Sequence, residues 1–263
     1  TDETYLKAFK VDSPIIKNKT KLKNLLGLDF YSDNLSINSS FDVYEDLSKA
    51  DSDKFEYVPN FSFSNIINDN FIFNSLGYYK NYNTNIKEQV LINNLNYQSI
   101  PKYFNNGLVN NKNFLLKNVN SKAKNSENFK NDISNTLLPT IQSTYTFPQV
   151  KETERFDNIL TPKLSLKLSP NYTRDIRNQN EGRIDYFNIY DVDRLGIEEA
   201  NEGGISATYG YEYTKFDKSI FAEKMKFGFA NNIRLSENKD LPSHTNLGDK
   251  VSDFVGLFEY NSK

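Results

Sequence analysis

The chain has 263 residues, 37% hydrophobic and 25% charged, with a formal net charge of -2 and basic residues scattered along its length, so no nucleic-acid footprint is visible. It has no cysteine, which excludes disulfides, iron-sulfur clusters and thiolate zinc sites within this stretch. No run of about 18 apolar residues exists, which excludes a transmembrane helix, yet 20 Phe and 17 Tyr are many for so polar a chain.

Strand candidates follow one another at short, fairly even spacing with turn residues between them, and helix signals are nearly absent. Leu22 to Phe30 leads through an Asp33-Asn34 turn into Leu35 to Val43, whose odd positions are mainly apolar. Phe61-Ser62-Phe63-Ser64 and Phe71-Ile72-Phe73-Asn74 flank a polar turn around Asn68-Asp69-Asn70. Val90 to Tyr97 and Phe114 to Val119 are weaker candidates, because the chain alternates poorly near Lys80-Asn81 and Asn93-Asn94. Ile141 to Phe147 pairs with Ile159 to Ser169, where even positions are apolar and odd ones carry hydroxyls and two lysines. Ile205 to Thr214 pairs with Ser219 to Ala230, and a last strand starts around Phe254.

In Ile205 to Thr214, bulky apolar or small residues hold every odd position and polar or absent side chains every even one, giving a strand with two unlike faces. A soluble sandwich also alternates, but segments this long and aromatic fit a barrel whose outside meets lipid and whose inside meets water, with Phe and Tyr available for girdles at the two interfaces. The predicted fold is therefore all-β, an antiparallel transmembrane β-barrel segment of roughly a dozen strands, each long enough at about 9 to 11 tilted residues to span a bilayer. The connections Lys151 to Asp157 and Phe216-Asp217-Lys218 are short, whereas Ser121 to Ser134, Tyr172 to Glu202 and Ser236 to Lys250 are long and polar. That asymmetry puts the long ones on the cell exterior. Glu223 breaks the pattern, since it shares parity with Phe221, Met225, Phe227 and Phe229; either it lies at the membrane interface or a bulge shifts the register there.

Leu168-Ser169-Pro170, the Asn-rich loop and Tyr186 to Gly196 resemble the lipopolysaccharide-assembly family LptD. Arg194, Gly196, Gly203, Tyr209 and Gly210 match the family's pattern, which runs from an Asn-Arg-Phe loop to a strand ending in Tyr-Gly; Asp193 stands where the family usually has Asn, and Glu198, Glu199 and Asn201 depart from it. Thr1-Asp2-Glu3-Thr4-Tyr5-Leu6 is similar to an early hairpin entry of the family. Val43 to Leu47 running on to Tyr57 to Phe61, and Val251 to Gly256, extend the ordered matches over nearly the whole chain.

The resemblance implies that residues 1-263 form one portion of an LptD-like outer-membrane barrel domain, with the N-terminal jellyroll and the terminal seam strands lying outside this stretch. It implies transport of lipopolysaccharide to the outer leaflet, an LptE-like lipoprotein plug, a periplasmic LptA-like bridge reached through the jellyroll, contact with outer-membrane lipid, and residence in the cell outer membrane.

Parity alone makes Lys163, Lys167, Thr208, Glu212, Lys224 and Lys226 candidates for the lumen, where the basic ones could meet a phosphorylated saccharide or the plug, or simply be solvated by a wet interior. Asp185, Asp191, Asp193, Glu198, Glu199 and Glu202 are hard oxygen donors in a loop, but their spacing matches no EF-hand-like loop. Gly203-Gly204 is followed by no helix, so it is no phosphate cradle and instead eases the chain into the Ile205 strand. The only histidine, His244, sits in a polar loop with nothing to position it as a base, so no enzyme, catalytic residue, metal or cofactor is expected. A generic porin or uptake barrel is the alternative to the translocon, and a soluble all-β binding domain is the third reading.

Overall fold

In the computed structural model, which describes residues 21–49, 55–82, 85–126, 128–178 and 182–261, two-residue alternation gives long antiparallel strands and no α-helix. The strands are β1 (Lys21–Tyr31), β2 (Leu35–Asp46), β3 (Phe55–Asn68), β4 (Phe71–Tyr82), β5 (Ile86–Gln98), β6 (Lys102–Tyr103), β7 (Val109–Lys124), β8 (Ser134–Thr146), β9 (Gln149–Glu152), β10 (Phe156–Ser169), β11 (Gly204–Asp217), β12 (Ala222–Arg234) and β13 (Val255–Tyr260). They form a 13-stranded sheet in the order β1-β2-β3-β4-β5-β7-β8-β10-β11-β12-β13, with β6 paired to β7 and β9 to β10. Among the described residues no helix is long and apolar enough to cross a membrane. The family-like opening, Thr1 to Leu6, lies outside the described residues.

The described residues fall into two units, one within 1–95 and 117–137, the other within 96–116 and 138–263. In the first, the register stacks Leu26, Phe41, Pro59 and Tyr57 with Phe61 and Gly77 on one face. The opposite face begins as a hydrogen-bonded polar surface: Asn60 donates to Ser40 at 2.8 Å, Ser40 donates to Asp42 at 2.9 Å, and Lys23 pairs with Asp42 at 2.9 Å. Further along that face Val90, Ile92 and Val119 are buried against Leu76, Tyr78 and Phe129. Phe129 comes from the long connection after β7, which folds back there; its Ser126 hydroxyl donates to the Glu88 carboxylate at 2.6 Å.

The second unit has its burial inverted relative to a soluble sheet. Along β10, Leu164, Leu166 and Leu168 are 42%, 48% and 51% exposed, while the intervening Ser165, Lys167 and Ser169 are 1%, 5% and 6% exposed. Leaving each leucine half open to water forgoes about 1 kcal/mol of burial. On β11 the tyrosines Tyr209 and Tyr211 are open in the same way, while Ser206 and Thr208 are buried. Tyr211 meets Phe229 edge to face at 4.0 Å on the apolar face.

Three departures from the sequence expectation appear in the strands. Lys151 and Glu152, expected in the connection Lys151 to Asp157, belong to the strand β9, because Pro148 cannot donate a ladder bond and splits one strand into β8 and β9, both of which pair with β10. β12 runs to Arg234, beyond the expected end at Ala230. The register of β11 and β12 shifts so that Lys215 opposes Met225 and Phe216 opposes Glu223, leaving Lys224 as the extra residue. Of the two accounts of Glu223, the bulge is the one found; it moves Glu223 off the face shared by Met225 and Phe227.

Candidate functional site

The polar face of β10, β11 and β12 is assembled by register. Lys167 opposes Ser206, which opposes Arg234; Ser165 opposes Thr208, which opposes Asn232. The long connection from Pro170 to Gly203 folds onto this face. Its path is fixed at both ends by backbone bonds, since Gly204 N–H donates to the Pro170 carbonyl at 3.1 Å and Gly203 N–H donates to the Thr173 hydroxyl at 2.9 Å. A Cβ at Gly203 would strike the Pro170 and Tyr172 carbonyls, and Gly204 has φ 99°, so the glycine pair is required by close approach and by left-handed backbone as the chain enters β11. Gly196, also matched to the family pattern, has φ 63°.

Glu202 is the centre of the seated loop. Its carboxylate accepts from Lys167 Nζ at 2.9 Å, from Arg194 Nε and Nη2 at 2.6 Å each, and from Arg234 Nη1. Arg194 donates further to Thr208 Oγ1 at 2.9 Å, Ser206 Oγ at 3.1 Å, Asn232 Oδ1 at 3.0 Å and the Ile189 carbonyl at 3.2 Å. Arg234 also donates to the Gly203 carbonyl. Burial works to raise the Glu202 pKa, but Arg194, Lys167 and Arg234 together hold it well below the usual carboxylate range. Glu202 therefore stays a charged anchor and is no proton donor or acceptor at neutral pH.

A second group lies nearer the turn side of the strands. Glu212 accepts from the Tyr186 hydroxyl at 2.9 Å and from Lys163 Nζ at 3.3 Å, with Lys226 Nζ at 3.6 Å. Lys163 also lies 5.9 Å and 5.7 Å from the ring centres of Tyr186 and Tyr190. Glycines make the room for these loop tyrosines: a Cβ at Gly228 would collide with the Tyr186 ring, and one at Gly210 with the Phe229 carbonyl and the Tyr190 hydroxyl. Burial, and then Glu212, push both phenol pKa values upward. Gly210 and Tyr209, paired in the family pattern, thus serve opposite faces of β11, one under the loop and one facing outward.

The loop carries its own apolar packing. Ile176, Leu195, Ile197 and Ala200 bury against Leu241 and Leu247 of the connection after β12. The two connections are also tied by Asn238, which donates to Thr173 at 2.8 Å, and by Ile176 N–H, which donates to the Asp240 carbonyl at 2.9 Å.

Of the residues expected on the polar face, Lys167 and Thr208 meet in the Glu202 group and Lys163, Glu212 and Lys226 in the second. Lys167 is covered by the loop instead of solvated. Lys224 sits in the bulge, where parity does not carry across, and its ammonium lies 5.6 Å from the ring centre of Tyr260, which opposes Met225 on the apolar face. The acidic loop residues have separate partners, Glu202 the cations, Glu199 the Arg174 guanidinium at 4.0 Å, and Asp185 the N–H groups of Phe187 and Asn188. Asp191 has its pKa raised by burial and by Asp185 and Asp193. Among the described residues no three His, Cys, Asp or Glu side chains converge to hold a metal. His244 is exposed in a short 3-10 turn, Ser243–Thr245.

Sequence reasoning did not single out Arg234 or Gly228, named Tyr186 only as the first residue of the family-like segment, and placed Glu202 only among possible cation ligands. Extending the even parity of β12 past Ala230 reaches Asn232 and Arg234; nothing periodic marks Tyr186 or Glu202, which lie in irregular chain. Comparison with protein-family models gives no match, and no curated protein matches the chain.

Proposed function

We propose that this chain is a wall segment of a Gram-negative outer-membrane β-barrel that passes lipopolysaccharide to the outer leaflet, working with an LptE-like lipoprotein plug and fed by an LptA-like periplasmic bridge. It acts by passage and not by catalysis. The observation that carries the membrane part is the inverted burial of β10 and β11, with exposed Leu164, Leu166, Leu168, Tyr209 and Tyr211 alternating with buried Ser165, Lys167 and Thr208. Such a face is unfavourable against water and favourable against hydrocarbon.

The lipopolysaccharide part is supported by the ordered LptD-like motifs, among which Arg194 has a defined role, since it fastens the loop to the polar face through Glu202. A barrel that handles a bulky glycolipid needs a hydrated inner face without leaving a wide open bore, and a long loop seated on that face meets the requirement. The alternative, a generic porin or uptake barrel, uses the same strands without a plug.

The test is fractionation of the full-length protein. Heat-modifiable migration from outer membranes together with a co-purifying lipoprotein is expected. Recovery in the soluble fraction refutes the membrane reading, whereas ion conductance by the purified protein without any lipoprotein favours the porin.

A further inference from the structure

The face of the first unit that carries Leu26, Phe41 and Phe61 changes character from strand to strand. Across β1 to β4 it is a largely apolar groove: register brings Leu28, Ser39, Phe61 and Gly77 side by side, and the Phe61 ring lies where a side chain at Gly77 would stand. The groove continues to Leu91 of β5 and ends at Gln89, Asn120, Lys122 and Asn135.

Alternation builds the polar end. On β5, Glu88, Val90 and Ile92 are buried on the other face, which leaves Lys87, Gln89, Leu91 and Asn93 on the groove side; on β7, Val119, Ser121 and Ala123 are buried, which leaves Asn118, Asn120, Lys122 and Lys124 there. Four amides from three strands form one network. Asn93 donates to Asn118 at 3.4 Å, Asn120 to Asn118 at 2.6 Å, Asn118 to Asn135 at 3.2 Å and Asn135 to Asn120 at 2.8 Å. The single acid of β5, β7 and β8 is Glu88, which accepts from Ser126 on the opposite face, and no carboxylate lines the groove. Lys87, Lys122 and Lys124 are all exposed beside the amide patch, and the strand ends that carry them are tied together where the Asn125 amide donates to the Asn85 carbonyl at 3.1 Å.

We propose that this face holds a phosphorylated, acylated sugar lipid of the outer leaflet, bound on the outside of the wall. Its phosphates meet Lys87, Lys122 and Lys124, its sugar meets the amides of Gln89, Asn120 and Asn135, and its acyl chains run along Leu28, Phe61 and Leu91. The proposal rests on the proposed function, in which this face meets lipid and the connection 125–133, directly after Lys124, lies on the cell exterior. It goes beyond that reading, because a lipid on the outer side of the wall is a resident of the protein and not cargo crossing its lumen. Two features set the ligand class. Ammonium groups are compact, strongly interacting partners for phosphate oxygens. Side-chain amides offer both donors and acceptors, and in apolar surroundings unpaired ones are costly, so they favour a partner that brings both. Sugar hydroxyls do; the esterified glycerol of a phospholipid brings acceptors alone.

The test uses the full-length protein, purified from membranes in detergent, incubated separately with bisphosphorylated lipid A and with cardiolipin, and examined by native mass spectrometry. Cardiolipin is the control because it has phosphates and several chains but no sugar. Lipid A should be retained, with about tenfold less cardiolipin. The combined K87E, K122E and K124E variant should lose lipid A about tenfold, the three Lys→Arg changes should keep it, and K151E, at another exposed lysine, should leave it unchanged. Asn120→Leu combined with Asn135→Leu leaves the charge untouched and should erase the preference over cardiolipin. Equal retention of the two lipids by the unaltered protein, lipid A retention that survives charge reversal, as it would for a molecule held in the lumen, or a preference that survives loss of the amides overturns the proposal. Heat-modifiable migration is measured on the same samples: a well-assembled membrane barrel that retains no lipid A refutes the outer site alone, and a protein that never enters the membrane refutes the functional reading and the site together.

Discussion

Replacing Glu202 by Ala leaves Lys167, Arg194 and Arg234 facing one another under the loop without their shared counter-charge. Two of these side chains are engaged by the carboxylate at 2.6 and 2.9 Å, and the Lys167, Arg194 and Glu202 side chains are all at most 4% exposed, so water does not screen the loss while the loop stays seated. Removing one partner of a buried ion pair costs about 3–5 kcal/mol. If that is relieved by lifting the loop before β11 from the strands, the open population rises by about 150- to 4,000-fold. The assay is limited trypsin digestion of the full-length barrel, with cleavage followed at Arg177 and Arg183, both exposed in the loop. Cleavage whose rate tracks the open population should accelerate strongly in the variant. Adding Arg194→Ala should cost less than the two single changes summed, because the uncompensated cation has gone. A Glu202→Ala protein whose loop is cut at the unaltered rate refutes the assignment of Glu202 as the anchor.

The remaining predictions concern the same wall. Because Glu202 has its folded pKa depressed by its cations despite burial, its contribution is fully present above the ordinary carboxylate value and is lost only as pH falls through the depressed one. Asp191 has the opposite shift and takes up its proton more readily in the folded state, so mild acid does not unseat the loop there either. A Phe187→Trp reporter in the loop should keep its fluorescence from neutral pH down to about 4.5, and a transition near pH 6 contradicts this. Tyr186→Phe removes a hydroxyl donated to a carboxylate and should lower loop stability by about 1.5–3 kcal/mol, read as faster cleavage at Arg183; no change in cleavage refutes that bond. Gly210→Ala should impair assembly more than Gly228→Ala, since the first meets the fixed Phe229 carbonyl and the second a movable tyrosine ring; heat-modifiability midpoints in the reverse order contradict the account. Leu166→Arg should reduce assembled barrel by the equivalent of about 2–4 kcal/mol if this face meets lipid at mid-depth, and wild-type assembly of that variant argues for an aqueous face.

The sequence by itself determined the strands and their two faces, because side chains alternate with a period of two whatever the chain packs against: Leu164 and Lys167 were assigned to opposite sides from parity alone, and register places them so. It also flagged Glu223 as an exception, since a carboxylate among Met225, Phe227 and Phe229 violates the pattern, but left an interfacial position and a bulge both open and could not say that Lys224 is the extra residue, because a bulge is defined by the partner strand. The interior arrangement was decided only in three dimensions. Glu202 and Arg234 are 32 residues apart, and they meet because β11 and β12 form a hairpin and the loop before β11 turns back over it. Irregular chain has no period from which its direction can be read, so the loop's path depends on backbone bonds at its ends, glycine spaces at Gly210 and Gly228, and a common carboxylate. Those are relations among distant residues, and only the folded chain brings them together.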